Sequence, residues 1–337
     1  MLNLGIIGCG YWGPNLVRNF MEAGECRVKT VCDLNPQRLV FIKGKYPLLT
    51  TTRHTDEILA DRSIDAVAIA TPVSTHFQIA QKALQSGKHV MVEKPLTASS
   101  RQADELMELA HKYKKILMVD HTFIYTAAVR KMKELIGAGE LGEIYYFDSV
   151  RVNLGIFQHD VNVMWDLAPH DLSIMDYLLD KTPRSVTAMG LSHLGNNIED
   201  IAYITINYAD NLIAHFHVNW LAPAKIRLIQ IGGSDKMLVY DDMENSDKLK
   251  VYNQGIDTPK NAEDGYKIRV QYRAGNMYVP KLEQTEALLV ECRHFLDCIR
   301  SGQKPLSDGE AGLRVVKILE AAEESLKNQG RLVKICT

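Results

Sequence analysis

No apolar run in this chain of 337 residues approaches the roughly 18 that a membrane-spanning helix needs, so no membrane span is expected. Charge of one sign is missing too. Thirty-nine Lys and Arg stand against 41 Asp and Glu, a net charge of −2, which leaves no electrostatic basis for a nucleic-acid or membrane-surface partner. The six cysteines (9, 26, 32, 292, 298 and 336) include no C-x-x-C pair and read as small reduced core residues. His215 and His217 alternate along a strand-like run without an evident third ligand, so no metal is expected. The first strand begins at Leu2, which leaves no room for a secretory leader and points to the cytoplasm. Internal repeats and low-complexity segments are lacking as well. What remains is ordinary globular composition, 46% apolar and 24% charged, on a chain long enough for about two domains.

The first 33 residues are the most specific part of what is present. An apolar strand, Leu4-Gly5-Ile6-Ile7, runs into Gly8-Cys9-Gly10-Tyr11-Trp12-Gly13, then a helix-like stretch, then Val28-Lys29-Thr30-Val31-Cys32-Asp33. In a G-x-G-x-x-G loop the first glycine permits the tight turn and the second lets backbone N–H groups approach a pyrophosphate. The third lets the helix pack closely on the sheet with its positive end toward the phosphates. Pro14 suits the first helical turn, and Asp33 stands about twenty residues on, where a carboxylate can bind the adenosine ribose. A structural turn or a methyltransferase loop explains the glycines alone. Strand, glycines, helix, strand and acid in register favour a dinucleotide site, with Gly8, Gly10, Tyr11, Trp12, Gly13 and Asp33 as its residues. Asp33 would repel a 2′-phosphate, so NAD is expected, and Arg38 nearby leaves NADP open.

Strand and helix signals alternate to about residue 120. Asp65-Ala66-Val67-Ala68-Ile69-Ala70 ends at Thr71-Pro72, a helix is expected over Val73–Gln85, a strand over 89–92, a helix over 98–113 and a strand over 116–119. Such alternation predicts a doubly wound parallel sheet, whose ligands lie at the carboxyl ends of the strands. After about residue 140 the period changes. Runs at 144–153, 185–190, 201–208, 212–220, 225–231 and 237–240 alternate as strands do, separated by turn residues, and imply an open, mainly antiparallel sheet interrupted by a helix near 168–180. Residues 243–282 read as a polar irregular loop, followed by helices near 283–300 and 308–328 and a last strand at 331–335. The fold class is therefore α/β, a Rossmann domain over 1–122 and an α+β domain over 123–337 whose last helices can pack back on the first.

Two further segments could carry chemistry. Val92-Glu93-Lys94-Pro95-Leu96 puts a lysine at the end of a buried strand, where it can hold a substrate hydroxyl and lower its pKa, or simply reach solvent. In Trp165-Asp166-Leu167-Ala168-Pro169-His170-Asp171, Asp166 and His170 are four apart and can meet on one helical face as a carboxylate–imidazole pair. Pro169 fits only a helix just starting there, which makes Asp166 an N-cap and His170 a surface histidine; spacing alone favours that second reading.

Taken together, Gly8-x-Gly10-x-x-Gly13, Ala70-Thr71-Pro72 with His76, Glu93-Lys94-Pro95-Leu96, Asp166-x-x-x-His170 and the Gly302-x-x-Pro305 turn make the chain resemble the glucose–fructose oxidoreductase/inositol dehydrogenase (Gfo/Idh/MocA) family over nearly its whole length. The resemblance implies that Lys94, His170 and Asp166 are catalytic, the lysine between nicotinamide and substrate and joined to Pro95 by a cis bond. It implies that Thr71, Pro72 and His76 line the cofactor and that Glu93 lies near the nicotinamide ribose. His121, where the family commonly has Asn or Arg after that strand, is a further candidate cofactor contact. Arg151, Asn153, Asn162 and Trp165 are the candidate substrate contacts. The implied reaction is NAD(P)-dependent hydride transfer to or from a secondary alcohol of a sugar, with C3 of a nucleotide-linked sugar preferred. Free inositol or a free aldose is the alternative, and an NAD-binding sensor without turnover the alternative of another class. A homodimer or homotetramer formed through the second sheet is also implied.

Overall fold

The computed structural model describes residues 1–155, 161–195, 198–257 and 271–335. Two compact units emerge, Met1–Thr126 with Thr285–Glu320 and Ala127–Gln284 with Ala321–Thr337. Residues 285–320, from the last part of the chain, count with the first unit.

In the first unit, β1 (Leu2–Ile7), β2 (Cys26–Cys32), β3 (Thr50–Thr52), β4 (Ala66–Ile69), β5 (His89–Glu93) and β6 (Leu117–Asp120) form one sheet in the order β3-β2-β1-β4-β5-β6. All of its pairings are parallel. Connecting them are α1 (Gly13–Glu22), α2 (Pro36–Lys45), α3 (Thr55–Ala60), α4 (Val73–Gln85) and α5 (Ser100–Tyr113). Central strands covered on both faces must be apolar throughout, and Ala66, Val67, Ala68 and Ile69 are each 0% exposed. The core around them gathers Ile7, Ile58, Val92, Leu96, Leu106 and Val119. The strand order reverses between β1 and β4, which is where doubly wound sheets hold their ligands.

The second unit is built on a nine-stranded sheet in the order β16-β13-β12-β11-β7-β10-β9-β8-β17. Its strands are β7 (Ile144–Leu154), β8 (Ser185–Leu191), β9 (Ile201–Asn207), β10 (Ile213–Asn219), β11 (Leu221–Gly233), β12 (Met237–Asp241), β13 (Leu249–Tyr252), β16 (Met277–Tyr278) and β17 (Val333–Lys334). A separate ribbon pairs β14 (Gly255–Asp257) with β15 (Gln271–Arg273). The helices are α6 (Ala127–Gly137) and α7 (Val163–Leu179); α8 (Ala287–Ser301) belongs to the first unit and α9 (Gly309–Lys327) contributes to both.

The sheet is mainly antiparallel, as expected, with one parallel pairing, that of β10 with β7. A connection that runs through α7, β8 and β9 is long enough to bring the chain back in the same direction. Residues 243–282 are not all loop, since β13 and β16 extend the sheet at one edge; 258–270 lie outside the described residues. Finally, α7 starts at Val163, five residues before the expected 168, so Pro169 sits inside the helix. Its missing N–H removes one bond of that helix rather than marking its start. Among the described residues no helix is long and apolar enough to cross a membrane.

Candidate active site

The glycine loop begins where β1 ends. Gly8 has φ +96°, and a Cβ there would stand 2.4 Å from the Ala70 carbonyl oxygen. A Cβ on Gly13 would stand 2.1 Å from the Gly8 oxygen. Neither position admits a side chain without backbone movement, so these two glycines shape the turn and seat α1. Gly10 differs. The nearest atom to a Cβ there is the Arg38 guanidinium at 3.6 Å, so the backbone at Gly10 lies open, as a pyrophosphate cradle requires. Tyr11 is exposed and Trp12 half-buried at the helix N-cap.

Asp33 is nearly buried at the end of β2. It accepts the Cys9 N–H at 2.7 Å and the Asn35 N–H at 2.8 Å, and Arg38 Nη1 stands 3.4 Å from it. A carboxylate has about four lone-pair sites, so one acceptor position remains for a ribose hydroxyl. Asp33 therefore organises the loop through the Cys9 and Asn35 N–H groups. These residues fit a dinucleotide: an open backbone at Gly10, a helix N-terminus behind it and a carboxylate at the ribose position.

Along the same rim, Pro72 is the N-cap residue of α4, and the Thr75 hydroxyl donates to Oγ1 of the preceding Thr71 at 2.7 Å. The Lys94–Pro95 bond is cis, with Glu93 and Lys94 half-buried at the end of β5. His76, expected to line the cofactor, does something else. It is 1% exposed, and its ring nitrogens face the Thr71 oxygen at 2.8 Å and the Pro95 oxygen at 3.0 Å, so it joins two turns. Burial holds its pKa below the usual histidine value. His121 is 2% exposed, and burial together with nearby Lys94 pushes its pKa down to about 3, so the ring is neutral.

The second unit holds its candidates in a side-chain network. Asn162 is the N-cap of α7, its Oδ1 accepting the Trp165 N–H at 3.2 Å, while Nδ2 donates to Glu199 at 3.0 Å. Asp166 is therefore not the cap. It lies one turn into the helix and accepts the Trp220 Nε1–H at 3.0 Å, with half-buried His170 one turn further on the same face. Arg151 is 3% exposed and forms a two-pronged pair with Asp171 at 2.9 and 2.6 Å, and the Ser149 hydroxyl donates to the same carboxylate at 2.8 Å. Burial opposes the Arg151 charge, but Asp171 more than compensates and raises its pKa. Trp165 is 7% exposed with Nε1 on Glu323 at 2.7 Å.

Arg151, Asn162 and Trp165 thus each hold at least one hydrogen bond within the protein itself. Asn153 stays half-buried on β7. The roles of Asp171 and Trp220 escaped sequence reasoning. Asp171 stands in the quoted motif, and its acidity beside a strand arginine was the available signal; nothing local marks Trp220.

Comparison with known proteins settles the class. Residues 2–121 match the family described as "Oxidoreductase family, NAD-binding Rossmann fold", and residues 129–239 match the "GFO/IDH/MocA C-terminal domain". The chain belongs to the Gfo/Idh/MocA family. It is accordingly an NAD-dependent oxidoreductase. UDP-N-acetylglucosamine 3-dehydrogenase of Acidithiobacillus ferrooxidans is 27% identical over 319 residues, covering 94% of each chain. The solved structure of that enzyme superposes with a TM-score of 0.82 at 25% identity, covering 97% of this chain and 98% of the other. A scyllo-inositol 2-dehydrogenase (NADP(+)) of Bacillus subtilis is 25% identical over 346 residues, covering 97% of this chain and 94% of its own. Levoglucosan dehydrogenase in complex with NADH and L-sorbose shares the fold, with a TM-score of 0.85 at 19% identity over 100% of this chain and 99% of that one.

Proposed function

We propose that this family member oxidises, or in reverse forms, a secondary alcohol at C3 of a nucleotide-linked sugar, in polysaccharide or sugar-nucleotide biosynthesis. The observation that carries the reading is the near full-length likeness to a UDP-N-acetylglucosamine 3-dehydrogenase, together with an intact Lys94 and Asp166-x-x-x-His170. Bound NAD supplies the hydride acceptor. The loop from Gly8 to Gly13 holds the pyrophosphate and Asp33 the ribose, with Tyr11, Trp12, Thr71, Pro72, Glu93 and His121 around them. Lys94 stabilises the oxygen of the reacting hydroxyl as negative charge develops there. His170 takes the hydroxyl proton at a ring nitrogen, and Asp166, itself fixed by Trp220, keeps the imidazolium favourable.

The enzyme works in the cytoplasm as a homodimer or homotetramer formed through the second sheet. In support, Met189, Tyr203 and His217 make a row across β8, β9 and β10, with Met189 64% and Tyr203 43% exposed. The buried cysteines 9, 26, 32, 292 and 298 are free thiols, as suits a reducing compartment.

An assay of nicotinamide absorbance tests the reading, offering NAD and NADP with UDP- and dTDP-linked hexoses, free hexoses and inositols. Turnover is expected with a nucleotide sugar and NAD, falling on the order of 10²–10⁴-fold in Lys94→Ala and in His170→Ala. Turnover confined to inositols would instead favour the substrate class of the inositol dehydrogenase relatives. NAD binding without turnover on any substrate, in either direction, would mark a sensor.

A further inference from the structure

Behind the glycine loop lies an acid pair that the reaction above does not use. Trp12, inside the loop, donates its Nε1–H to Asp120 Oδ2 at 2.6 Å, and the Thr122 hydroxyl donates to Asp120 Oδ1 at 2.5 Å. Asp120 is 2% exposed at the end of β6, beside Glu93 on the neighbouring strand. The helix α8 packs on the turn Thr122–Tyr125 that follows β6, and its Glu291, 0% exposed, is near enough to Asp120 for the two charges to act on each other. Among the described residues no donor reaches either Glu291 oxygen. The single Thr122 proton is already given to Asp120.

Two buried carboxylates that act on each other, one of them without a donor, cannot both be charged at reasonable cost. The Trp12 indole selects the ionised member. A carboxylate that accepts from Trp12 and Thr122, with Lys94 adding its positive field, is the better anion. We infer that Asp120 and Glu291 share one proton, carried by Glu291 and donated to Asp120, and that this pair is the positioning group that fixes Trp12 and so sets the cofactor loop. Burial, then the Asp120 charge, holds the Glu291 carboxyl well above the usual range, which keeps the proton in place at neutral pH. The anchor joins loop, strand end and helix across a sequence separation of 108 residues between Trp12 and Asp120.

The inference rests on the proposed role of the loop, so its test separates the two. Infrared spectroscopy of the whole protein at neutral pH should show a protonated-carboxyl C=O band that disappears in Glu291→Gln. Calorimetric NAD binding should weaken about tenfold in Asp120→Asn, the worth of one charged hydrogen bond. Trp12→Phe should lose a similar factor, and the double variant no more than either single one, because both break the same contact. Glu291→Gln keeps a neutral donor to Asp120 and should retain NAD affinity within twofold, whereas Glu291→Leu should not. The absence of the infrared band, its survival in Glu291→Gln, or additive losses in the double variant would overturn the inference. If the unaltered protein failed to bind NAD, the loop assignment and the functional reading would fall with it, and the band would still decide where the proton is.

Discussion

The two units carry their candidate residues by different means. In the first, the decisive atoms belong to the backbone. Gly8 and Gly13 are fixed by what a Cβ would strike, and Gly10 by what it would not. In the second, the decisive atoms are side chains locked in a buried polar network, with Arg151 on Asp171, Asp166 on Trp220, and Asn162 on the start of α7. A backbone cradle is written in consecutive residues and tolerates change in whatever lies outside it. A side-chain network depends on every member, since a buried polar group left without its partner keeps its full desolvation cost.

The sharpest way to break this comparison is at Arg151 and Asp171, which are both almost fully buried. Asp171→Leu leaves a guanidinium charge in the core. The expected loss of stability is about 3–5 kcal/mol in urea unfolding, against much less for the double change Arg151→Met with Asp171→Leu, which removes both charges together. If the single variant melted like the parent, the network would not hold the unit together.

The glycine loop offers the converse experiment, with a smaller effect on stability. Gly13→Ala places a methyl against the Gly8 oxygen and should cost about 1–3 kcal/mol, read as a lower melting temperature, along with NAD affinity. Gly10→Ala meets nothing closer than Arg38, so its melting temperature should stay near the parent's while NAD binding weakens. Equal melting losses in the two variants would erase the distinction between the structural glycine and the open one.

The same contrast explains what could be read from the chain before its structure. The parallel sheet, the glycine loop and Asp33 were legible because each is a local pattern: apolar runs, spacing and an acid in register. The helix over Val73–Gln85 was legible to the residue, being bounded by Pro72 and Gly87. The fate of Arg151 and Trp165 was not. An arginine on a strand reads alike whether it faces a sugar or an aspartate 20 residues on, and the Trp165 partner, Glu323, lies 158 residues away. The parallel pairing of β7 with β10 was hidden for a related reason, since alternation fixes the face of a strand and not its direction. His76 lies next to Thr71 and Pro72 as the pattern suggests, while its ring is spent on the carbonyls of Thr71 and Pro95.

The smallest effect tests the side-chain unit most finely. Asn162 stood among the candidate substrate contacts, yet its oxygen caps α7 and its amide reaches Glu199. Asn162→Ala should therefore act through the helix, costing about 1 kcal/mol, which for a chain of this size lowers the melting temperature by only a few degrees. Asn162→Asp keeps the capping oxygen but sets a carboxylate against Glu199, so it should retain the cap and lose the second contact. If Asn162 is a cap and nothing more, KM for the sugar should stay within about twofold in the alanine variant, since losing the cap removes no bond to substrate. A tenfold rise in KM with an unchanged melting temperature would return Asn162 to the substrate side. The helix that carries Asp166 and His170 would then have to be held at its start by something other than this residue.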